Sequence, residues 1–250
     1  MPAVARRKRS RRISDPFKFD RALLAELDSD EGDLRLAGTD EAGRGCLAGP
    51  IVAAAVVLDY SQPGFPGLKG LTDSKLLSLP AREAMYGQIL RTARRVAWTA
   101  CSPGTIDDVG LHNCNIAILG RALELLEGEY RLAVVDAFDL GRPDLVAKAI
   151  IGADYKSAAV AAASVVAKVV RDRVMRSLDP LHPEYGFAEH VGYATEQHRE
   201  ALRANGPCSL HRMSFQGVGV TQLELWEGRN LLALTPQSED LQSAAGSPRE

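Results

Sequence analysis

A chain of 250 residues, 46% of them hydrophobic and 25% charged, has the make-up of an ordinary globular protein, which argues against wholesale disorder and collagen-like structure. Its formal net charge of −2, from 30 basic and 32 acidic residues, argues against a generic basic nucleic-acid coat. It still allows an enzyme whose acidic cluster holds metal while local basic patches hold phosphate.

The first twelve residues carry Arg6, Arg7, Lys8, Arg9, Arg11 and Arg12. Residues 1–16 therefore read as a disordered basic arm, with weak phosphate binding as the sharper alternative. Leu34–Asp40 reads as a strand running into a glycine turn. Ile51–Leu58 is a near-continuous apolar run between Gly49-Pro50 and Asp59, the mark of a buried strand. Residues 63–70, with two prolines and three glycines, read as a loop. In 79–95, Met85, Ile89 and Ala93 recur every four residues, predicting an amphipathic helix with Pro80 in its first turn.

Val96–Cys101 is the next expected strand. Asn113–Glu127 is a helix with Ile116, Leu119, Leu123 and Leu126 on one face. Arg131–Asp136 is a buried strand ending in a carboxylate, and Val146–Ile151 is another strand. Ala158–Leu178 is a long helix, and Thr195–Ala204 a helix capped by Thr195 and stopped before Asn205-Gly206. A last helix is expected over Gln222–Ala233, and residues 236–250 read as a disordered tail. Early strands followed by helix–strand alternation predict a layered α/β domain over 17–235, with a mixed sheet flanked by helices. The strand-free stretch from about 179 predicts an appended C-terminal helical lobe.

The four cysteines (Cys46, Cys101, Cys114, Cys208) form no CxxC pair, which argues against a zinc ribbon and fits a reducing compartment. The apolar stretches 47–58 and 158–167 fall short of the ~18 residues of a membrane span. No apolar segment of a secretory signal follows the basic start. A cytoplasmic, membrane-free, monomeric protein is expected.

The chemistry concentrates at strand ends. In Gly38–Gly45 (GTDEAGRG) two adjacent carboxylates, Asp40 and Glu41, precede a glycine turn. Adjacent strand residues point to opposite faces, so both reach one site only if the chain turns there, which Gly43 permits. The bland alternative is a β-turn with exposed acids. Gly43, Gly45 and Ala48 also fit a dinucleotide fingerprint, but that motif needs an immediate helix and Gly49-Pro50 follows. Asp136 ends a strand, and Asp154 lies between a strand and the long helix. Carboxylates so grouped repel one another unless cations neutralise them. All-oxygen ligation favours Mg²⁺ or Mn²⁺, and two such ions suit in-line displacement at a phosphodiester. Asp172, between Arg171 and Arg173, reads as a helix-surface ion pair. His211 has no partner at metal-ligand spacing and reads as a structural hydrogen-bonding group.

From about Leu36 to about Gly217 the chain resembles ribonuclease HII, the type 2 ribonuclease H of bacteria. The resemblance is carried by GTDEAGRGCLAGP (38–50), Asp73-Ser74-Lys75, Val134-Val135-Asp136, Asp154-Tyr155-Lys156-Ser157, AAASVVAK (161–168), Arg171-Asp172-Arg173, Tyr185-Gly186-Phe187, Gly192-Tyr193 and His211-Arg212-Met213-Ser214-Phe215. It implies a ribonuclease H-like fold and cleavage of RNA in RNA–DNA hybrids. Incision 5′ of single ribonucleotides embedded in duplex DNA, leaving 3′-hydroxyl and 5′-phosphate ends, is also implied. On this resemblance Asp40, Glu41, Asp136 and Asp154 hold the metals, and Gly43, Arg44 and Gly45 recognise the ribose 2′-hydroxyl. Tyr193 packs against the nucleotide on the 3′ side.

Ser164, Lys168, Lys75 and Arg212 are candidate phosphate contacts. Five positions depart from the family's pattern. Ala137 replaces a glycine after the third carboxylate, and Gly152-Ala153 replaces Lys-Gly before the fourth. Val191 and Leu76 replace lysines. None removes a metal ligand, and the lysine losses bear on substrate affinity.

Overall fold

The computed structural model describes residues 15–27, 33–71 and 74–219. The expected 222–233 helix, the tail and residues 1–14 of the basic arm lie outside them. The elements, in chain order, are α1 (Pro16–Ala25), β1 (Arg35–Ala42), β2 (Ile51–Asp59), α2 (Leu79–Thr92), β3 (Arg95–Cys101), α3 (Pro103–Val109), α4 (Leu111–Glu124), β4 (Leu132–Asp136), β5 (Ala147–Ile150), α5 (Ala153–Lys156), α6 (Ala158–Leu178), α7 (Phe187–His190) and α8 (Glu196–Asn205). The sheet runs β3-β2-β1-β4-β5. The first three strands pair antiparallel, while β4 and β5 add on in parallel.

β2 shows why an unbroken apolar run makes a central strand. Its even residues Val52, Ala54, Val56 and Leu58 pack into the layer with α6. Its odd residues Ile51, Ala53, Ala55 and Val57 pack into the layer with α4. Both faces are covered, so no polar alternation is needed. The alanine-rich α6 lies so close to β1 that a Cβ on Gly38 would fall 2.1 Å from the Ala159 carbonyl carbon. Small residues on both elements permit that approach. The strand-free C-terminal part packs a third apolar cluster, with Tyr185, Phe187, Val191 and Leu202, against Leu47, Ala48 and Met175.

Among the described residues, four α-helices lie outside the elements expected from sequence, the one-turn α5 and α7 and the longer α1 and α3. α1 opens on Pro16, with Asp15 accepting a hydrogen bond from the Phe17 N–H as its cap. Those two residues, placed at the end of the arm by its basic run, therefore belong to the fold. α3 is capped by Ser102 ahead of Pro103. Gly110, at φ 88°, separates it from α4, which starts two residues earlier than its periodicity suggests. The helix expected over 79–95 stops at Thr92, because β3 takes over at Arg95 opposite Val57.

Candidate active site

Three carboxylates stand at or beyond the C-terminal ends of parallel strands. Thr39 of β1 is paired with Val135 of β4, so Asp40 and Asp136 are the next step along neighbouring strands. β1 does not turn at the acidic pair but continues to Ala42, and the turn comes at Gly43, at φ 96°. Asp40 and Glu41 accordingly face opposite sides. Asp40 meets Ser164 of α6, and Glu41 lies beside Asn115 of α4. Both are close enough to the strand end to feel Asp136.

Burial, then the charge of Glu41, holds the Asp40 carboxyl well above the usual carboxylate range. Burial also raises Glu41. Arg44, 3.6 Å away, opposes that rise, and Asp136 adds to it. Asp136 accepts the Ala153 N–H at 2.7 Å at the start of α5. Asp154, the next residue, is buried, with Lys75 Nζ 3.8 Å from its Oδ2.

The donor set fits a hard divalent cation. Every donor is a carboxylate oxygen, and burial without enough counter-charge already weighs on Asp40 and Glu41. Among the described residues, however, no three His, Cys, Asp or Glu side chains are drawn together as a ready-made cage. Asp40, Glu41 and Asp136 share one electrostatic neighbourhood, and Asp154 adjoins it through α5.

Beside this acidic floor a cleft of about 300 Å³ is lined by Glu41, Ala42, Gly43, Arg44, Gly45, Ser74, Lys75, Ser164, Lys168 and Tyr193. The turn, the two lysines, Ser164 and Tyr193 thus come together from distant parts of the chain. Ser164 Oγ lies 2.9 Å from Ser74 Oγ, a partner that sequence reasoning missed although it sits in the Asp73-Ser74-Lys75 segment. Lys168 donates to Asp172 at 2.7 Å and lies 4.7 Å above the Tyr193 ring.

Two expectations are corrected. Arg212 is not open to phosphate. It is fully buried and donates to the carbonyls of Gly49, at 2.9 and 3.0 Å, and Arg44, at 3.0 Å. Asp172 is not a surface ion pair. It is buried between Lys168 and Arg82, the latter 3.6 Å away on α2. Its neighbour Arg171, also fully buried, donates to the carbonyls of Pro50, Val191 and Ala48 at 2.8–3.0 Å. Gly43 needs to be glycine twice over, for its φ and because a Cβ would strike Arg171 Nε at 2.0 Å.

The missing helix after Gly45 removes the dinucleotide reading, since 46–50 is irregular and leads into β2. The departures from the family pattern also take shape. Ala137 and Val191 are the non-glycine residues with positive φ among those described, at 60° and 45°.

Solved structures place this architecture among ribonuclease H-like α/β nucleases. The ribonuclease H2 of Pyrococcus horikoshii OT3 superposes with a TM-score of 0.66 at 25% identity, over 78% of this chain and all of that one. The RNase HII of Archaeoglobus fulgidus, solved in complex with PCNA, gives a TM-score of 0.62 at 29% identity, over 76% of this chain and 98% of that one. The family model described as Ribonuclease HII matches residues 37–218. A ribonuclease HII of Rhizobium meliloti (strain 1021) is 46% identical over 80% of this chain and 88% of its own length. The chain belongs to the ribonuclease HII family. It is a ribonuclease H, hydrolysing the RNA strand of RNA–DNA hybrids. Among the described residues, no helix is long and apolar enough to cross a membrane.

Proposed function

We propose that this ribonuclease H, besides cutting continuous hybrids, incises DNA duplexes 5′ of a single embedded ribonucleotide, leaving 3′-hydroxyl and 5′-phosphate ends. The observation that carries the reading is the shared cleft. Glu41 lies at the edge of the acidic floor, and the same cleft wall holds the glycine turn, the lysines and Tyr193.

Asp40, Glu41, Asp136 and Asp154 are the residues that would hold divalent ions, Mg²⁺ or Mn²⁺, in keeping with the metal dependence of the family. Bound there, two such ions would activate the attacking water and stabilise the leaving oxygen. The chain's own residues do the selection. The Gly43-Arg44-Gly45 backbone, bare of a side chain at its two glycines, offers polar groups suited to a ribose 2′-hydroxyl, the group that separates RNA from DNA at one position. Gly45 has open space where a Cβ would stand. Lys75 and Lys168 supply positive charge along the strand path, with Lys168 also held against Tyr193. Tyr193, about 38% exposed, offers its ring to the nucleotide beyond the scissile bond.

Cleavage mapping on a duplex carrying one ribonucleotide, with Mg²⁺ and Mn²⁺ titrated from zero, tests the reading. A single metal-dependent cut 5′ of the ribonucleotide is expected. Cutting of continuous hybrid alone, or cutting without added metal in the presence of chelator, overturns it.

A further inference from the structure

Behind Tyr193 lie three buried histidines for which the nuclease reading has no use: His190 at the end of α7, His198 on α8, and His211. Their neighbours fix which nitrogen of each ring carries the proton. His198 Nδ1 lies 2.8 Å from the Tyr193 carbonyl oxygen. A carbonyl only accepts, so Nδ1–H donates, and the neutral ring keeps a bare Nε2. His211 Nε2 lies 3.1 Å from that bare nitrogen, so His211 donates to it. His211 Nδ1 is then bare in turn, and the Cys208 backbone N–H donates to it at 3.0 Å. The bonds run one way, from Cys208 through His211 and His198 to the carbonyl of Tyr193. His190 is fixed likewise. It accepts the Gly192 N–H on Nδ1 at 3.2 Å and donates from Nε2 to the Tyr185 carbonyl at 2.8 Å. Its ring stacks on His198, with centroids 4.3 Å apart.

We propose that His211 and His198 are positioning residues that set Tyr193 against the glycine turn, and so set the enzyme's preference for a single embedded ribonucleotide. This rests on the reading of Tyr193 as the side chain facing the nucleotide. The far end of the relay is tied to the turn. His211 bridges Ala48, the Arg212 N–H donates to the Leu47 carbonyl at 2.9 Å, and the Arg212 guanidinium holds the carbonyls of Arg44 and Gly49. The two imidazoles therefore add a second tie between the ribose-facing backbone and Tyr193, beside the bond that the Leu47 N–H donates directly to the Gly192 carbonyl at 2.9 Å.

The relay works only while both rings are neutral. An extra proton on His198 would set two N–H donors head to head at 3.1 Å. The surroundings disfavour it. Burial, and then the proximity of His198, push His211 down to about 4. Burial lowers His198 as well, and His190 adds to the effect. The titratable groups around the pair are His182, His190, Cys208 and Tyr185, with Glu184 beyond them.

Two measurements on the full chain test the proposal. Long-range ¹⁵N–¹H correlation spectra of the unaltered protein at pH 6 should show His198 as the neutral Nδ1–H tautomer and His211 as the neutral Nε2–H tautomer. A charged His211, or His198 as Nε2–H, overturns the relay whatever the enzyme cuts. The second measurement is kcat/KM on a single-ribonucleotide duplex divided by kcat/KM on continuous hybrid. His198→Leu should lower this ratio about 2- to 10-fold, the net worth of one hydrogen bond. His198→Asn, whose amide can still donate to the Tyr193 carbonyl, should recover most of it.

Tyr193→Ala should lower the same ratio about 5-fold or more, on the scale of base–aromatic stacking, and Tyr193→Phe should keep most of it. An unchanged ratio in Tyr193→Ala defeats the reading of Tyr193 itself. A lowered ratio there with none in His198→Leu defeats the positioning role alone. Should His198→Leu not fold, His211→Gln, which can still donate to His198, must hold the wild-type ratio while His211→Leu lowers it. Equal ratios in those two variants overturn the proposal.

Discussion

The acidic floor and the clasp that holds the glycine turn lie side by side and are built on opposite terms. The floor places buried Asp40 and part-buried Glu41 within reach of Asp136, and their carboxyls are raised by burial first and by neighbouring carboxylates after it, with Arg44 offsetting only part of the rise at Glu41. The clasp buries two arginines completely, and each guanidinium is engaged by backbone carbonyls drawn from far along the sequence. The clasp's hydrogen-bond donors are met by the chain itself, even though burial and then the nearby Arg171 charge push Arg212 down to about 10. The floor's carboxylates have no such set of partners, and a cation would supply the missing one. The contrast teaches that charge alone does not mark a functional group. On the proposed reading, the carboxylates left short of partners serve the chemistry, while the arginines, whose guanidinium nitrogens are all engaged by carbonyls, serve the scaffold.

The largest effect breaks the floor. Asp40→Asn or Asp136→Asn should lower turnover by roughly 10²-fold or more, since a lost ligand forfeits several kcal/mol of transition-state stabilisation. Near-normal turnover at saturating Mg²⁺ or Mn²⁺ would remove either residue from the site. The metal-free Asp40→Asn protein should nonetheless melt no lower than the parent at neutral pH. A carboxyl raised above its unfolded value weighs against folding wherever it is charged. Stability is therefore regained as pH falls through the folded value toward the unfolded one of about 4. In thermal melts without metal, the parent should therefore gain on Asp40→Asn as pH is lowered mildly from neutrality. The sign is carried by the difference between the two proteins, because in both of them the raised Asp20, at about 6, adds its own gain while the depressed His198 and His211 pull the other way. A gap that shifts in the variant's favour on acidification would contradict that sign.

The next effect breaks the clasp. Arg171→Met keeps much of the side-chain volume but strands the carbonyls of Ala48, Pro50 and Val191. Buried acceptors left unpaired cost about 1–3 kcal/mol each, with incomplete additivity, so a loss on the order of 3–5 kcal/mol is expected. Denaturant titration would measure it. If Arg171→Met proved as stable as the parent while Asp40→Asn unfolded, the two regions would have exchanged roles and the comparison would fail.

Much of the sheet could be read from local pattern. The apolar run of β2 announced burial on both faces, and the strand-end placement of Asp40 and Asp136 followed from where the apolar residues stop. The cap Asp15 and its Pro16 were in plain view as well, but the basic run before them drew the boundary too late. The clasp was illegible for a physical reason. The carbonyls that satisfy Arg171 include those of Ala48 and Pro50, more than a hundred residues earlier, so no window of sequence distinguishes it from a solvated arginine. Asp172 was misplaced on the same account, because Arg82 reaches it from another helix. The site itself is legible through residue type, strand-end position and the family resemblance, but not its geometry. Alternation placed Asp40 and Glu41 on opposite faces, and only the structure shows that the strand end lets both of them sense Asp136.

The smallest effect sharpens the floor rather than breaking it. Ala137, directly after Asp136, sits at φ 60°, where an L side chain costs roughly 1–2 kcal/mol and glycine costs little. The strained residue is held on both sides. Its N–H donates to the Ile150 carbonyl at 3.1 Å, and the Phe138 N–H donates to the Asp136 carbonyl at 2.8 Å. Ala137→Gly relieves the strain but gives the unfolded chain more freedom, a loss of about 0.4–1 kcal/mol. The net should be a gain of between zero and about 1.5 kcal/mol, read as a small rise in denaturation midpoint with the slope unchanged. The backbone conformation stays as it is, so Asp136 keeps its place and turnover should stay within about twofold. A drop in stability would mean that the alanine methyl makes packing contacts worth more than the strain. A large loss of turnover would mean that the strain itself holds Asp136 in register with Asp40, making the floor a device under tension where the clasp is at rest.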